Sequence, residues 1–237
     1  MKFLIVAGHQ GTTGAVSGKL VEETLTKVLA DKVVKHLTAQ GHQAEEAVFN
    51  MFDYLQKYGV TADLLSYDYI MEIHFNATLG GSGTEIFVAV GETKISVEKA
   101  VMQRLKNWFR LRDDKSPADG VKENVPGYYI LKALAGKQEA SLLEVAFIDN
   151  PAEMAIFMAN QDEIAKDIAY GLLEGFEEAI KVVEPPKPSG VTLAPAGKLY
   201  RVGIGSFAVR EKALKLRDEA IAKGFEAYLT LIDDPRI

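Results

Sequence analysis

Histidine is scarce in this chain, with four in 237 residues, so the setting of each can be weighed. His36 falls in a stretch of helical spacing and His42 in a turn after Gly41; both read as ordinary surface or half-buried side chains. His9 and His74 differ. His9 follows the apolar run Leu4-Ile5-Val6-Ala7-Gly8 and opens a loop of small residues, Gln10-Gly11-Thr12-Thr13-Gly14-Ala15. His74 lies near the end of Tyr69-Ile70-Met71-Glu72-Ile73-His74-Phe75-Asn76-Ala77, just before a glycine-rich turn. In α/β sheets, ligands gather at the carboxyl ends of strands. One such histidine alone would be better read as a structural side chain; two, at two strand ends, point to a shared site.

Helix geometry suggests a third donor. With Leu25 at zero and about 100° per residue, Val28, Leu29, Val33 and His36 fall between about −60° and +80°. On that scale Glu22 falls near about +60°, inside the apolar face, and Glu23 near about 160°, toward solvent. A carboxylate on a buried face needs a partner, because an unpaired buried charge is costly. The alternative, a first-turn acid favouring the helix dipole, suits Glu23 well and Glu22 poorly. His9, Glu22 and His74 would together make a three-ligand zinc set, with manganese or iron as the other metals such donors accept. Three protein ligands leave a position open for water, the pattern of a catalytic rather than a structural site.

Glu144 is the fourth candidate. It interrupts Leu142-Leu143-Glu144-Val145-Ala146-Phe147-Ile148, a run otherwise too apolar for a charge without a role. A metal-activated water needs a nearby general base and acid, which a buried Glu can supply; a structural salt bridge is the other reading. Glu72 shares a strand face with His74 and could orient it as an acceptor. A lone surface glutamate fits that position equally.

These residues need a frame. Residues 3–7, 69–75, 85–90 and 141–148 read as strands, and residues 25–37 and 97–109 as helices. Asn150-Pro151-Ala152-Glu153 is a helix start, with an Asn cap, Pro at the first helical position and Glu at the third. Helical spacing then continues to Ile180. Strands separated by helices imply an α/β fold, a mostly parallel twisted sheet flanked by helices. Residues 184–197 hold four of the eight prolines, a semi-rigid linker signature. They divide a domain at 1–183 from a small β-α-β segment at 198–237.

Composition narrows the function. At 48% hydrophobic and 25% charged the chain is that of a soluble globular protein. A net charge of −6 argues against general nucleic-acid binding. Zero cysteines exclude disulfides, thiol nucleophiles and Cys-ligated zinc. No stretch approaches the roughly 18 apolar residues of a membrane span, and the N-terminal apolar run is too short for a signal peptide. The last 40 residues carry eight basic and six acidic side chains, against 19 and 27 before them, so a mildly basic tail follows an acidic body.

Taken in order, Ala7-Gly8-His9, Gly14-Ala15-Val16 with Glu22, Ile73-His74-Phe75-Asn76-Ala77, Gly83-Thr84-Glu85 and Leu143-Glu144-Val145-Ala146-Phe147-Ile148-Asp149-Asn150 resemble the family 3 N-acetylmuramoyl-L-alanine amidases. The resemblance spans roughly residues 2–180. It implies a zinc enzyme of bacterial cell-wall turnover or phage lysis, with His9, Glu22 and His74 as the zinc ligands and Glu144 as the catalytic acid-base. Thr26 stands where the family has Asn, and the loop Gln10-Gly11-Thr12-Thr13 is one residue shorter. The tail from Leu199 to Tyr228 resembles the first half of a SPOR peptidoglycan-binding module; two such tails could complete one by forming a homodimer, or the tail could pack on the catalytic domain. The implied activity is hydrolysis of the amide between N-acetylmuramic acid and L-alanine, on peptidoglycan as partner, by a protein made in the cytoplasm and acting on the wall after release. A non-catalytic wall-binding protein and a zinc peptidase cutting within the stem peptide are the alternatives.

Overall fold

The apolar run at the start forms strand β1 (Lys2–Ala7) in a computed structural model that describes residues 1–112 and 119–182. Successive side chains alternate between faces, and here both are buried. Phe3, Ile5 and Ala7 enter one apolar layer, while Leu4 and Val6 enter another. A two-strand hairpin, β2 (Val16–Ser17) and β3 (Leu20–Val21), leads into helix α1 (Glu22–Ala39). Then follow β4 (Gln43–Glu46), α2 (Met51–Tyr58), β5 (Tyr69–Asn76), β6 (Glu85–Val88) and α3 (Ser96–Leu105). The described residues end with β7 (Val121–Glu123), α4 (Tyr129–Leu134), β8 (Ala140–Phe147) and the long α5 (Pro151–Val182).

The sheet has the order β4-β1-β5-β8-β6-β7. Strands β4, β1, β5 and β8 are parallel, β6 runs antiparallel to β8, and β7 is parallel to β6. It is thus the mostly parallel, twisted sheet that alternating strands and helices imply. Helices α1, α3 and α5 pack together on the face that holds Phe3, Met71 and Leu143. Helices α2 and α4 cover the other face, over Val6, Ile70, Phe87 and Leu142. Among the described residues no helix is long and apolar enough to cross a membrane.

Several expectations shift. The strand expected over 85–90 ends at Val88, and the helix expected to reach Phe109 ends at Leu105, after which tight turns carry a still-buried Phe109. On α1 the buried positions are Glu22, Leu25, Thr26, Leu29, Ala30, Val33 and Leu37. Val28 lies at the edge and is exposed. The buried arc therefore runs from about 0° to about 140°, which puts Glu22 near its middle. Glu23, expected toward solvent, is half-buried, because its Oε1 accepts from the Gly11 amide at 2.9 Å.

The start of α5 is capped as its sequence implies, with Asn150 Oδ1 accepting from Ala152 N and Glu153 N. Glu153, however, reaches past the cap to take the Gly83 and Phe147 amides at 2.6 and 2.9 Å, tying a loop to the end of β8. The linker expected at 184–197 and the β-α-β segment expected at 198–237 lie outside the described residues.

Candidate metal centre

Register brings the candidate residues together. His74 of β5 pairs with Glu144 of β8, and Glu144 pairs with Glu85 of β6. Side chains directly opposite in a sheet share a face, so an imidazole and two carboxylates form a row across three strands. Alternation from Ile70 and Leu142 puts this row on the face of α2 and α4, one step beyond the apolar layer. The register shifts between His74 and Asn76, and Asn76 donates from its amide nitrogen to Glu85 Oε1 at 2.8 Å.

The other two donors arrive from β1 and α1. The Gly8 amide donates to the Ile73 carbonyl at 2.9 Å, carrying the β1–β5 ladder one step past the strand. A Cβ on Gly8 would lie 2.5 Å from His74 Cε1, so only glycine leaves room for that ring. His9 then turns into the left-handed region at φ 63°, with its carbonyl held by both the amide and the hydroxyl of Thr12. Thr26 donates its hydroxyl to the Gly8 carbonyl at 2.9 Å and braces the same turn.

Among the described residues no side chain caps helix α1; instead its first amides donate to the carbonyls of Ala15 and Thr13. The helix start is thereby sewn to the loop that carries His9. Gly14, at φ +61°, lies where a Cβ would meet Glu22 Oε2 and His9 Cδ2, each at 2.6 Å.

Glu22 is the hub. Its Oε1 accepts from the Phe75 amide at 3.0 Å and lies 3.1 Å from His74 Nδ1. Its Oε2 accepts from the Ala15 amide at 2.7 Å and lies 3.3 Å from His9 Nε2. One donor atom from each of His9, Glu22 and His74 lies within 4.8 Å of the other two. Glu72, expected as an acceptor for His74, has its Oε1 3.7 Å from His74 Nε2.

The electrostatics favour a cation. Burial raises the Glu22 carboxyl, but bonds from His74, Ala15 and Phe75 outweigh it and leave the carboxyl below its ordinary value. Burial lowers His74, yet Glu22 and Glu72 push it up to about 10, so these acids gather a proton between them. Burial sets His9 the other way, below its ordinary value, with Glu22 opposing. Two imidazoles and a buried carboxylate converging on one point are compatible with a divalent cation.

Glu144 is buried, with Oε1 accepting from the Tyr128 hydroxyl at 3.2 Å and Oε2 making no hydrogen bond among the described residues. Burial, partly offset by His74, pushes it up to about 7. Burial and Glu144 hold the Tyr128 phenol above its ordinary value, so it stays a donor. The neighbouring Glu85 is fully buried and paired with the Arg112 guanidinium and with Lys122 Nζ at 2.6 Å. His36 lies 3.5 Å from Asp162 and His42 3.4 Å from the N-terminal amine, neither in the cluster. Tyr128, Arg112 and Lys122 were not expected at the site; an irregular loop and a short edge strand give no periodic signal that could have placed them.

The family model described as N-acetylmuramoyl-L-alanine amidase (Amidase_3) matches residues 3–174, and the chain belongs to that family. Among its relatives, the sporulation-specific N-acetylmuramoyl-L-alanine amidase of Bacillus subtilis is 26% identical over 239 residues, 98% of this chain and 86% of the relative. The endolysin of Bacillus phage SPP1 is 26% identical over 192 residues, and the match spans 74% of this chain and 65% of that protein's length. The fold matches AmiC2 of Nostoc punctiforme at a TM-score of 0.60 and 19% identity, over 75% of this chain and 97% of that one. It matches the catalytic domain of the CD27L endolysin, which targets Clostridia difficile, at 0.58 and 24% identity, over 73% and 97%.

Proposed function

We propose that the chain hydrolyses the amide joining the lactyl group of N-acetylmuramic acid to L-alanine in peptidoglycan, with zinc held by His9, Glu22 and His74. Membership of the amidase family supports the substrate class. The observation that carries the chemistry is Glu144, buried beside His74 in register, with one carboxylate oxygen tied and the other without a hydrogen bond among the described residues. Zinc supplies Lewis acidity at such a site, polarising a carbonyl and making water acidic near neutral pH. Glu144 Oε2 accepts a proton from the attacking water and returns it to the departing alanine nitrogen. Glu22, fixed by two backbone amides, holds the two imidazoles toward a single point. Glu72 lies beside His74 Nε2 and favours the tautomer that leaves Nδ1 as the donor atom.

The tail at 198–237 is proposed as a half SPOR-like wall-binding segment. The alignment with the Bacillus subtilis sporulation amidase extends over 98% of the chain and so includes it.

The test is to label new α-amino ends in purified peptidoglycan with and without a chelator. Free L-alanine amino groups that vanish on chelation and return with zinc support the reading. New ends at another stem residue would mean a peptidase on this fold. No new ends from a zinc-loaded protein would favour a binding protein without catalysis.

A further inference from the structure

The hydrolysis proposed above asks two things of Glu144: one oxygen free to exchange a proton, and a fixed direction for it. The terminal torsion of a glutamate is broad and roughly two-fold, so burial alone does not aim the carboxylate. Here Oε1 is tied by the Tyr128 hydroxyl at 3.2 Å, while among the described residues Oε2 has no hydrogen bond.

Tyr128 is itself held from two sides. Asn124, almost fully buried, accepts at Oδ1 from the amides of Gly127 at 2.9 Å and Tyr128 at 2.7 Å. Its Nδ2 donates to the Tyr128 carbonyl at 2.8 Å. One side chain thus closes three hydrogen bonds around the backbone that carries the tyrosine. On the other side the Tyr128 ring rests on Phe87 of β6, with centroids 5.0 Å apart. Phe87 shares a face with Glu85 and pairs with Leu142, two positions before Glu144. A phenylalanine ring would make the same contact with Phe87. What tyrosine adds is a hydroxyl, and that hydroxyl meets Glu144.

We propose that Tyr128 is a positioning residue for the hydrolysis: its hydroxyl, donated to Oε1, aims Oε2 of Glu144 at the reacting water. The proposal rests on the assignment of Glu144 as acid-base. Truncating a positioning hydroxyl misdirects the carboxylate without touching the substrate, so it acts on kcat and leaves KM alone.

The experiment uses the full chain, zinc-loaded, on soluble muropeptides, with release of L-alanine amino ends as the readout. Tyr128→Phe should keep its zinc content, melting temperature and KM, and lose about 10- to 100-fold in kcat. In a Glu144→Asp background, where the carboxylate is drawn back from the phenol, the same change should cost nothing further. An unchanged kcat in Tyr128→Phe overturns the proposal. So does a raised KM at constant kcat, which would make the phenol a substrate contact, or a full additional loss in the Glu144→Asp background. Failure of the underlying reading shows separately, as activity retained in Glu144→Gln.

Discussion

Glu22 is committed at both oxygens, each with a backbone amide and a histidine nitrogen, so its position is set by main chain rather than by a flexible partner. Gly14 provides the room. Gly14→Ala should force the loop away from Glu22 and His9 while leaving the sheet intact. Metal affinity, measured by competition with a chromophoric chelator, should fall about 10- to 100-fold, as when the support of a ligand is disturbed. Glu144 is the opposite case, a residue whose loss should spare the metal. Glu144→Gln should retain zinc and lose about 10²- to 10⁴-fold in kcat, the usual weight of general acid-base catalysis. A variant with native zinc content and native turnover would remove Glu144 from that role.

Among the elements, β5 and β8 carry the row that matters, and the far end of β5 is joined to α3 through a second buried acid. Glu98 of α3 is buried and accepts from the Tyr69 hydroxyl at the start of β5, with its other oxygen making no hydrogen bond among the described residues. Burial pushes this carboxyl up to about 7 from an ordinary 4.5. Between those values the fold holds a proton that the unfolded chain has already released. Stability from this group is therefore full below about pH 4.5 and lost as pH rises through about 7. The change is on the order of 3 kcal/mol. Glu98→Gln keeps an acceptor for Tyr69 and removes the titration, so urea midpoints at pH 8 should rise relative to the parent while those at pH 4.5 stay together. Parallel pH profiles for the two proteins would show that Glu98 does not titrate in this way.

At the scale of the molecule, the metal candidates come from three separate pieces: the loop after β1, the start of α1 and the end of β5. A cation bound there cross-links them only in the folded state. Free metal at about 100 times its Kd should add about 2.7 kcal/mol. For a domain of this size that corresponds to a Tm higher by about 5–10 °C. Chelation should reverse the shift in a calorimetric scan, and His74→Ala should show none. A parent protein indifferent to both metal and chelator would mean that the cluster holds no ion.

Local signals were enough for part of this. The run Leu4 to Ala7, the helical spacing around Leu25 and Leu29, and the cap at Asn150 each report burial or a missing hydrogen-bond partner within a single element. Glu22 was legible for that reason, as a charge on an apolar face, and so was Glu144, as a charge in an apolar strand. Edge strands were not. Gln43–Glu46 and Val121–Glu123 are short and polar, and pairing with one neighbour stabilises them without leaving a period in the sequence. The antiparallel turn of β6, the pairing of His74 with Glu144, and the reach of Tyr128 to Glu144 were decided by the tertiary structure alone. Periodicity records which side of an element faces inward. Register and loop closure depend on which elements meet, and that follows from packing the whole sheet against its two helical layers.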